Sequence, residues 1–147
     1  MNAVEFLLKE HEKVRQMLDE INDESHKPET KKKMFNTLCD DLLRHEAMEH
    51  KIWYPHFKAN EKLDETVKHL ISEEKHAEKA INQFDKVESN EEWEKLFLKF
   101  KQDVLHHAHE EETKLFPKIK KMFSEGELEN IGHEMYSFKQ QYLKENN

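Results

Sequence analysis

Histidine stands four residues before glutamate on an apolar stripe twice in this chain, as His45-x-x-x-Glu49 and His107-x-x-x-Glu111. On a helix, residues i and i+4 share one face about a turn apart, so each pair offers an imidazole nitrogen and a carboxylate together. That donor set suits iron, manganese or zinc. Thiolate sites for copper(I) or iron–sulfur clusters are excluded, because Cys39 is the sole cysteine. The two pairs belong to an internal repeat. Residues 43–55 align without gaps on 105–117 at a constant offset of 62, which also matches Tyr54 to Phe116 and Pro55 to Pro117. His11 and His76, 65 apart, echo the same duplication more loosely.

Both pairs fall on apolar stripes, and so does His11, between Leu7 and Val14. Burying a polar group unpaired costs several kcal/mol, and an ionised carboxylate costs more. Four histidines and two glutamates left so would rival the whole stability of a domain, about 5–15 kcal/mol. Mutual hydrogen bonds are one remedy and metal ions the other. For His11 alone, a hydrogen-bonded core histidine is the better reading; six groups in phase on four helices favour metal. Two symmetry-related sets imply two ions, each taking two histidines. Glu49 and Glu111 would bridge them, since a carboxylate can span a metal pair about 3.5–4 Å apart.

The elements that must position these groups are helical. Asn2-x-x-Glu5 is a capping box for a first helix to about Asn22, with the stripe Val4, Leu7, Val14, Leu18, Ile21. Pro28 opens a second, whose inner stripe is Phe35, Leu38, Leu42, His45, Glu49, Ile52. A third runs from about Leu63 to Glu88 with a looser stripe of Val67, Leu70, Glu73, His76, Ala80, Phe84 and Val87. Ser89-x-x-Glu92 caps a fourth, with Trp93, Phe97, Phe100, Val104, His107, Glu111 and Leu115 facing inward as core. Ser124-x-x-Glu127 opens a tail helix through Ile131, Met135 and Phe138. Short connections favour antiparallel neighbours. The expected fold is all-α: one domain over 1–147, an up-down-up-down four-helix bundle with a C-terminal tail helix. Pro55 and Pro117 are expected to kink the chain at the bundle end.

Composition narrows the function. With 24 basic and 32 acidic residues the net charge is −8, which argues against a nucleic-acid partner. The basic clusters Lys31-Lys32-Lys33 and Lys118, Lys120, Lys121 read as solvated helix surface. Nine Phe, two Trp and three Tyr argue against disorder despite 38% charged residues. No apolar run is long enough for a membrane span, and the N-terminus lacks a secretory pattern. A single cysteine suits a reducing cytoplasm. His45-Glu46-Ala47-Met48-Glu49 is not the His-Glu-x-x-His of zinc proteases, and no haem-attachment or glycine-rich phosphate motif is present.

With these residues in view, the sequence resembles the hemerythrin-like family, the His-His-Glu cation-binding domains. The matching features are His11, His45-x-x-x-Glu49 ending at Trp53-Tyr54-Pro55, His76, and His107-x-x-x-Glu111 ending at Leu115-Phe116-Pro117. The resemblance implies a non-haem centre of two iron ions, with manganese or zinc as substitutes, able to meet O2 or another small diatomic or peroxide ligand. The oxygen-carrying members use a fifth histidine one turn before the equivalent of His76, where this chain has Ser72. They also end on an Asp one residue further from its histidine, whereas Glu111 keeps the i+4 spacing. Glu46, Glu73 or water could fill the gap. Glu46 is preferred, because iron-sensing relatives place a glutamate ligand there and its repeat counterpart is the small Ala108. The expected metal set is therefore His11, His45, Glu46, Glu49, His76, His107 and Glu111. His26, His50, His56, His69, His106, His109 and His133 read as surface or supporting groups. A metal-dependent regulatory or interaction module, folded by its ions, is the alternative to O2 chemistry.

Overall fold

A computed structural model describes residues 1–146. Among these, five helical rods and no strand are present. Helix α1 (Ala3–Asn22) starts at the expected capping box: Asn2 accepts from the Glu5 amide at 2.9 Å, and the Glu5 carboxylate returns to the Asn2 amide. Helix α2 (Pro28–Met48) has proline in its first turn, where a missing N–H leaves no acceptor unmet. Helix α3 (Glu61–Gln83) is capped by Asn60, two residues before the expected start. Helix α4 (Asn90–Glu110) is capped by Ser89 and passes through a wide turn into α5 (Phe116–Met122). Helix α6 (Glu125–Glu145) begins at the Ser124 capping box. Helices α1 and α2 pack as one hairpin and α3 and α4 as another, as the repeat requires, and α6 lies across α1 and α2.

Both repeat halves depart from α-geometry at the same place. Residues Glu49–Trp53 and Glu111–Leu115 form π-helical turns, each followed immediately by the Tyr54-Pro55 or Phe116-Pro117 step. A proline ring clashes with the carbonyl four residues back in a regular α-helix. The wider i→i+5 turn relieves that conflict, and such turns are frequent at functional sites. The expected kink is thus a change of helical register. It begins at the glutamate of each pair. The α-helix resumes at Phe116 and continues through Pro117 to Met122.

The apolar side chains form two separate cores. One joins Val4, Leu7, Trp53, Tyr54, Phe57, Leu70, Leu115 and Phe116 to Leu128, Ile131 and Met135 of α6. The other joins Leu18, Ile21, Phe35, Leu38, Phe84, Trp93, Phe97 and Phe100. Its rings meet edge-on, as in Phe35–Phe100 at 5.3 Å, or stacked, as in Trp93–Phe97 at 5.4 Å. Along α1, α2, α3 and α4 the residues between the two cores are the histidines and glutamates. Lys31 departs from the solvated reading of its cluster: it is buried, and its Nζ donates to Glu94 at 2.8 Å, tying α2 to α4. The alkyl stem of a lysine can cover apolar surface while its ammonium finds a partner at the rim. No helix among the described residues is long and apolar enough to cross a membrane.

Candidate metal centre

Between the two cores, two groups of potential ligands share one carboxylate. His11, His45 and Glu111 form the first, and Glu49, His107 and Glu111 the second; within each, ligand atoms lie within 4.8 Å of one another. Helix α1 supplies His11, α2 and its π turn supply His45 and Glu49, and α4 and its π turn supply His107 and Glu111. Five of the seven residues expected from sequence are brought together. Two are not.

His76 is the first. Its side chain is 64% exposed and its Nε2 lies 3.4 Å from Asp103, on the outer side of α3. The buried residue at this level of α3 is Glu74, whose Oε1 lies 3.5 Å from His107 Nε2. Spacing explains the exchange. The inward residues of α3 are Leu63, Val67, Leu70, Glu74, Ala77, Ile81 and Phe84, a strict alternation of four and three. His76 breaks that rhythm and Glu74 keeps it, so the pattern was present in the sequence. Glu46 is the second. It faces Glu74 and Glu78 beside the centre and belongs to neither triad. Burial, then the hydrogen bond shared with Glu78, push its carboxyl up to about 10.

Each histidine of the cluster is oriented by a carboxylate behind it. His11 turns Nε2 to Glu111 Oε1 at 3.2 Å and Nδ1 to Glu112 Oε2 at 2.6 Å. His45 turns Nε2 to Glu49 Oε1 at 3.2 Å and Nδ1 to Glu10 at 3.4 Å. His107 turns Nε2 toward Glu74 and Nδ1 to Glu73 Oε1 at 3.2 Å. Such outer partners fix the ring and raise its basicity as a ligand. Glu73, a candidate ligand by sequence, thus stands behind His107. Sequence reasoning also missed Glu10 and Glu112, although both are chain neighbours of inward residues.

On the far side of the centre, the buried Tyr54 donates to Glu74 Oε1 at 3.1 Å, with Glu111 Oε2 at 3.2 Å. His50 reaches Glu74 Oε2 at 2.8 Å. Its repeat counterpart shows how the halves diverged: Phe116, matching Tyr54, stacks on the His11 ring at 5.9 Å.

The charge balance at the centre is what a cation would correct. Glu49 and Glu111 are both fully buried and face each other with Glu74 alongside. Burial and these two carboxylates hold Glu49 well above the usual range, so it keeps a proton. Burial would raise Glu111 too, but hydrogen bonds from His11 and Glu49 overcome it and hold Glu111 ionised. Burial would lower His11, yet hydrogen bonds to Glu111 and Glu112 raise it to about 9. Apart from these contacts with His45, with His11 and with each other, the Glu49 oxygens and Glu111 Oε1 are buried with no further hydrogen-bond donor. Native interiors rarely leave such groups short of donors, and a bound ion is one of the accepted reasons. Three imidazole nitrogens and three carboxylates, turned inward and short of donors, fit divalent transition metals.

The hemerythrin HHE cation-binding domain family matches residues 2–119, and the chain belongs to that family. Its fold is similar to the crystal structure of a hemerythrin HHE cation-binding domain-containing protein from Mycobacterium kansasii. The TM-score is 0.85 at 21% identity, over 97% of this chain and 87% of that one, so helix α6 is included in the likeness. No curated protein matches the chain.

Proposed function

We propose that the chain holds two iron ions between its cores and responds there to O2 or another small diatomic or peroxide ligand. The ligands in this reading are His11, His45, Glu49, His107 and Glu111, with Glu74 in the place first expected of His76. The observation that carries it is Glu111, common to both triads, opposite a fully buried Glu49 that has no donor from outside the cluster. A carboxylate so placed can bridge a metal pair.

Iron bound there would supply the electrons and the open coordination position that small oxidants require. The protein's own groups do the rest. Glu112, Glu10 and Glu73 hold the three Nδ1 atoms, so each Nε2 points inward with its lone pair available. Tyr54 stays protonated, because burial and the surrounding carboxylates hold its phenol well above its ordinary range. Its O–H is therefore a fixed donor at the edge of the centre. Leu42, Phe100 and Val104 close the other edge and exclude water. A set with three carboxylates and three imidazoles favours the higher oxidation state more than a five-histidine set does, which suits sensing or turnover better than reversible carriage. The two complete cores weigh against a bundle that exists only when metal folds it.

The test is anaerobic loading with Fe(II), a metal count, and optical spectra as O2 is admitted and removed. Two equivalents of iron and an irreversible visible change are expected. A band that reverses fully would replace sensing or turnover with carriage. Failure to retain iron would remove the reading.

A further inference from the structure

We infer that the two ion positions differ in lability: the one at His11, His45 and Glu111 is retained, and the one at Glu49, His107 and Glu111 is exchangeable. The inference rests on the two-ion reading above, and concerns what stands behind each set of ligands.

Behind the first position the supporting carboxylates are held by permanent cations. Arg15 Nη2 lies 2.9 and 2.8 Å from the two oxygens of Glu112, which in turn makes the shortest of the three histidine contacts, 2.6 Å. Glu10, behind His45, takes Lys139 Nζ of α6 at 3.0 Å and Arg44 Nη2 at 3.4 Å. Helix α6 packs over α1 and α2, so this side is also covered. Guanidinium stays charged at any working pH and its donors hold a carboxylate in a fixed plane.

Behind the second position stand imidazoles and one phenol, and among the described residues no lysine or arginine meets Glu73 or Glu74. Glu73, which orients His107, is met by His106 at 3.1 Å and His69 at 3.6 Å, both 58% exposed. Glu74 is met by His50 at 2.8 Å, 43% exposed, and by the neutral hydroxyl of the buried Tyr54 at 3.1 Å. Exposed pairs of this kind hold weakly. Rotation of the surface imidazoles frees Glu73 and leaves Glu74 with Tyr54 alone, and His107 itself is 18% exposed against 6% for His11. His50 thereby links solvent to Glu74 in a single step. Departure from the first position requires the Arg15 and Lys139 contacts to break instead.

Release of Zn(II) from the loaded chain to an excess of a colorimetric chelator reads the difference directly. Two phases of one equivalent each are expected, separated by about tenfold or more. Arg15→Ala should quicken the slow phase about tenfold and leave the fast phase unchanged, with Arg15→Lys between. Lys139→Met, on a helix that supplies no candidate ligand, should act in the same sense. Glu73→Gln should quicken only the fast phase. Circular dichroism confirms that each variant is folded before release is compared. A single phase carrying two equivalents overturns the inference while leaving the two-ion reading standing, as does an Arg15→Ala effect confined to the fast phase. A chain that retains no zinc or iron overturns that reading, and the inference with it.

Discussion

Glu111 meets His11 across the bundle, Oε1 to Nε2 at 3.2 Å, while also lying within ligand reach of His107 one turn before it on its own helix. One side chain thus joins two candidate ion positions contributed by both halves of the repeat. Glu49 belongs to the second triad alone, reaching the first position only through His45 at 3.2 Å. Glu111→Ala should therefore abolish binding at both positions, whereas Glu49→Ala should remove one equivalent and spare the other. Metal analysis after dialysis separates the two outcomes, and equal losses in both variants would contradict the sharing.

The exchange of His76 for Glu74 on α3 gives a second test. His76→Ala should leave metal content unchanged, because the imidazole is outside and contacts only Asp103. Glu74→Ala removes a buried partner of His50, Tyr54 and His107. It should cost tenfold or more in the affinity for the second ion, the scale on which loss of a metal's close partners is felt. Isothermal titration with Mn(II) or Zn(II) would show it.

The metal-free chain should respond to pH in a definite direction. His11 is raised from 6.5 to about 9, so its contribution to stability is whole below 6.5 and is lost as pH rises through 9. Glu10 and Glu74 behave oppositely. Burial would raise each, but hydrogen bonds from His45 and from His107 and His50 lower them to about 2, and their contributions disappear as pH falls from 4.5 toward 2. Thermal melting of the apo protein should therefore peak between pH 4.5 and 6.5. Metal affinity should climb over the range in which apo stability falls, because loading at pH 7 displaces the protons of Glu49, His11 and His107, on the order of two to three per chain. A pH-stat titration counts them.

Gly132 tests how α6 is seated. A Cβ at this position would lie 2.5 Å from the Met1 carbonyl oxygen and 2.9 Å from the Ala3 amide nitrogen. Gly132→Ala should lower stability by about 1–3 kcal/mol, the usual range for overpacking. Retained melting temperature would mean that the N-terminal residues shift freely.

Cys39 lies in the second core, where burial, and then Asp40, push its thiol up to about 12. A thiol so protonated is a poor nucleophile. It should resist a disulfide reagent at pH 8 in the folded chain and react promptly in guanidinium, and the kinetics of thiol release would show the contrast.

Much of the architecture was legible because it is written locally. Asn2, Ser89 and Ser124 cap helices through side chains two or three residues from the amides they satisfy. The repeat exposed the two hairpins and four of the central residues. His11 followed from a polar interruption of an otherwise apolar stripe. Glu74 was missed for a different reason. Chemical likeness to His11 drew attention to His76, although the four-three rhythm of α3 pointed one turn's fraction away. The π turns depend on where a proline falls relative to a fixed glutamate, which periodicity at 3.6 residues does not register. Glu10 and Glu112 became visible only with three-dimensional neighbours, since what distinguishes them from other glutamates is a partner on another helix, and Glu73, a candidate ligand by sequence, took its place behind His107 in the same way.

The separation of the apolar interior into two cores, with the polar layer between them, has a further consequence. Neither core needs the intervening residues to complete its packing. Substitutions in that layer therefore answer first to the ions and only afterwards to folding. A histidine can give way to a glutamate on one helix, or a tyrosine to a phenylalanine across the repeat, without the bundle being rebuilt. The scaffold carries its chemistry as a replaceable cartridge, and lineages sharing its shape are free to diverge in what they do with it.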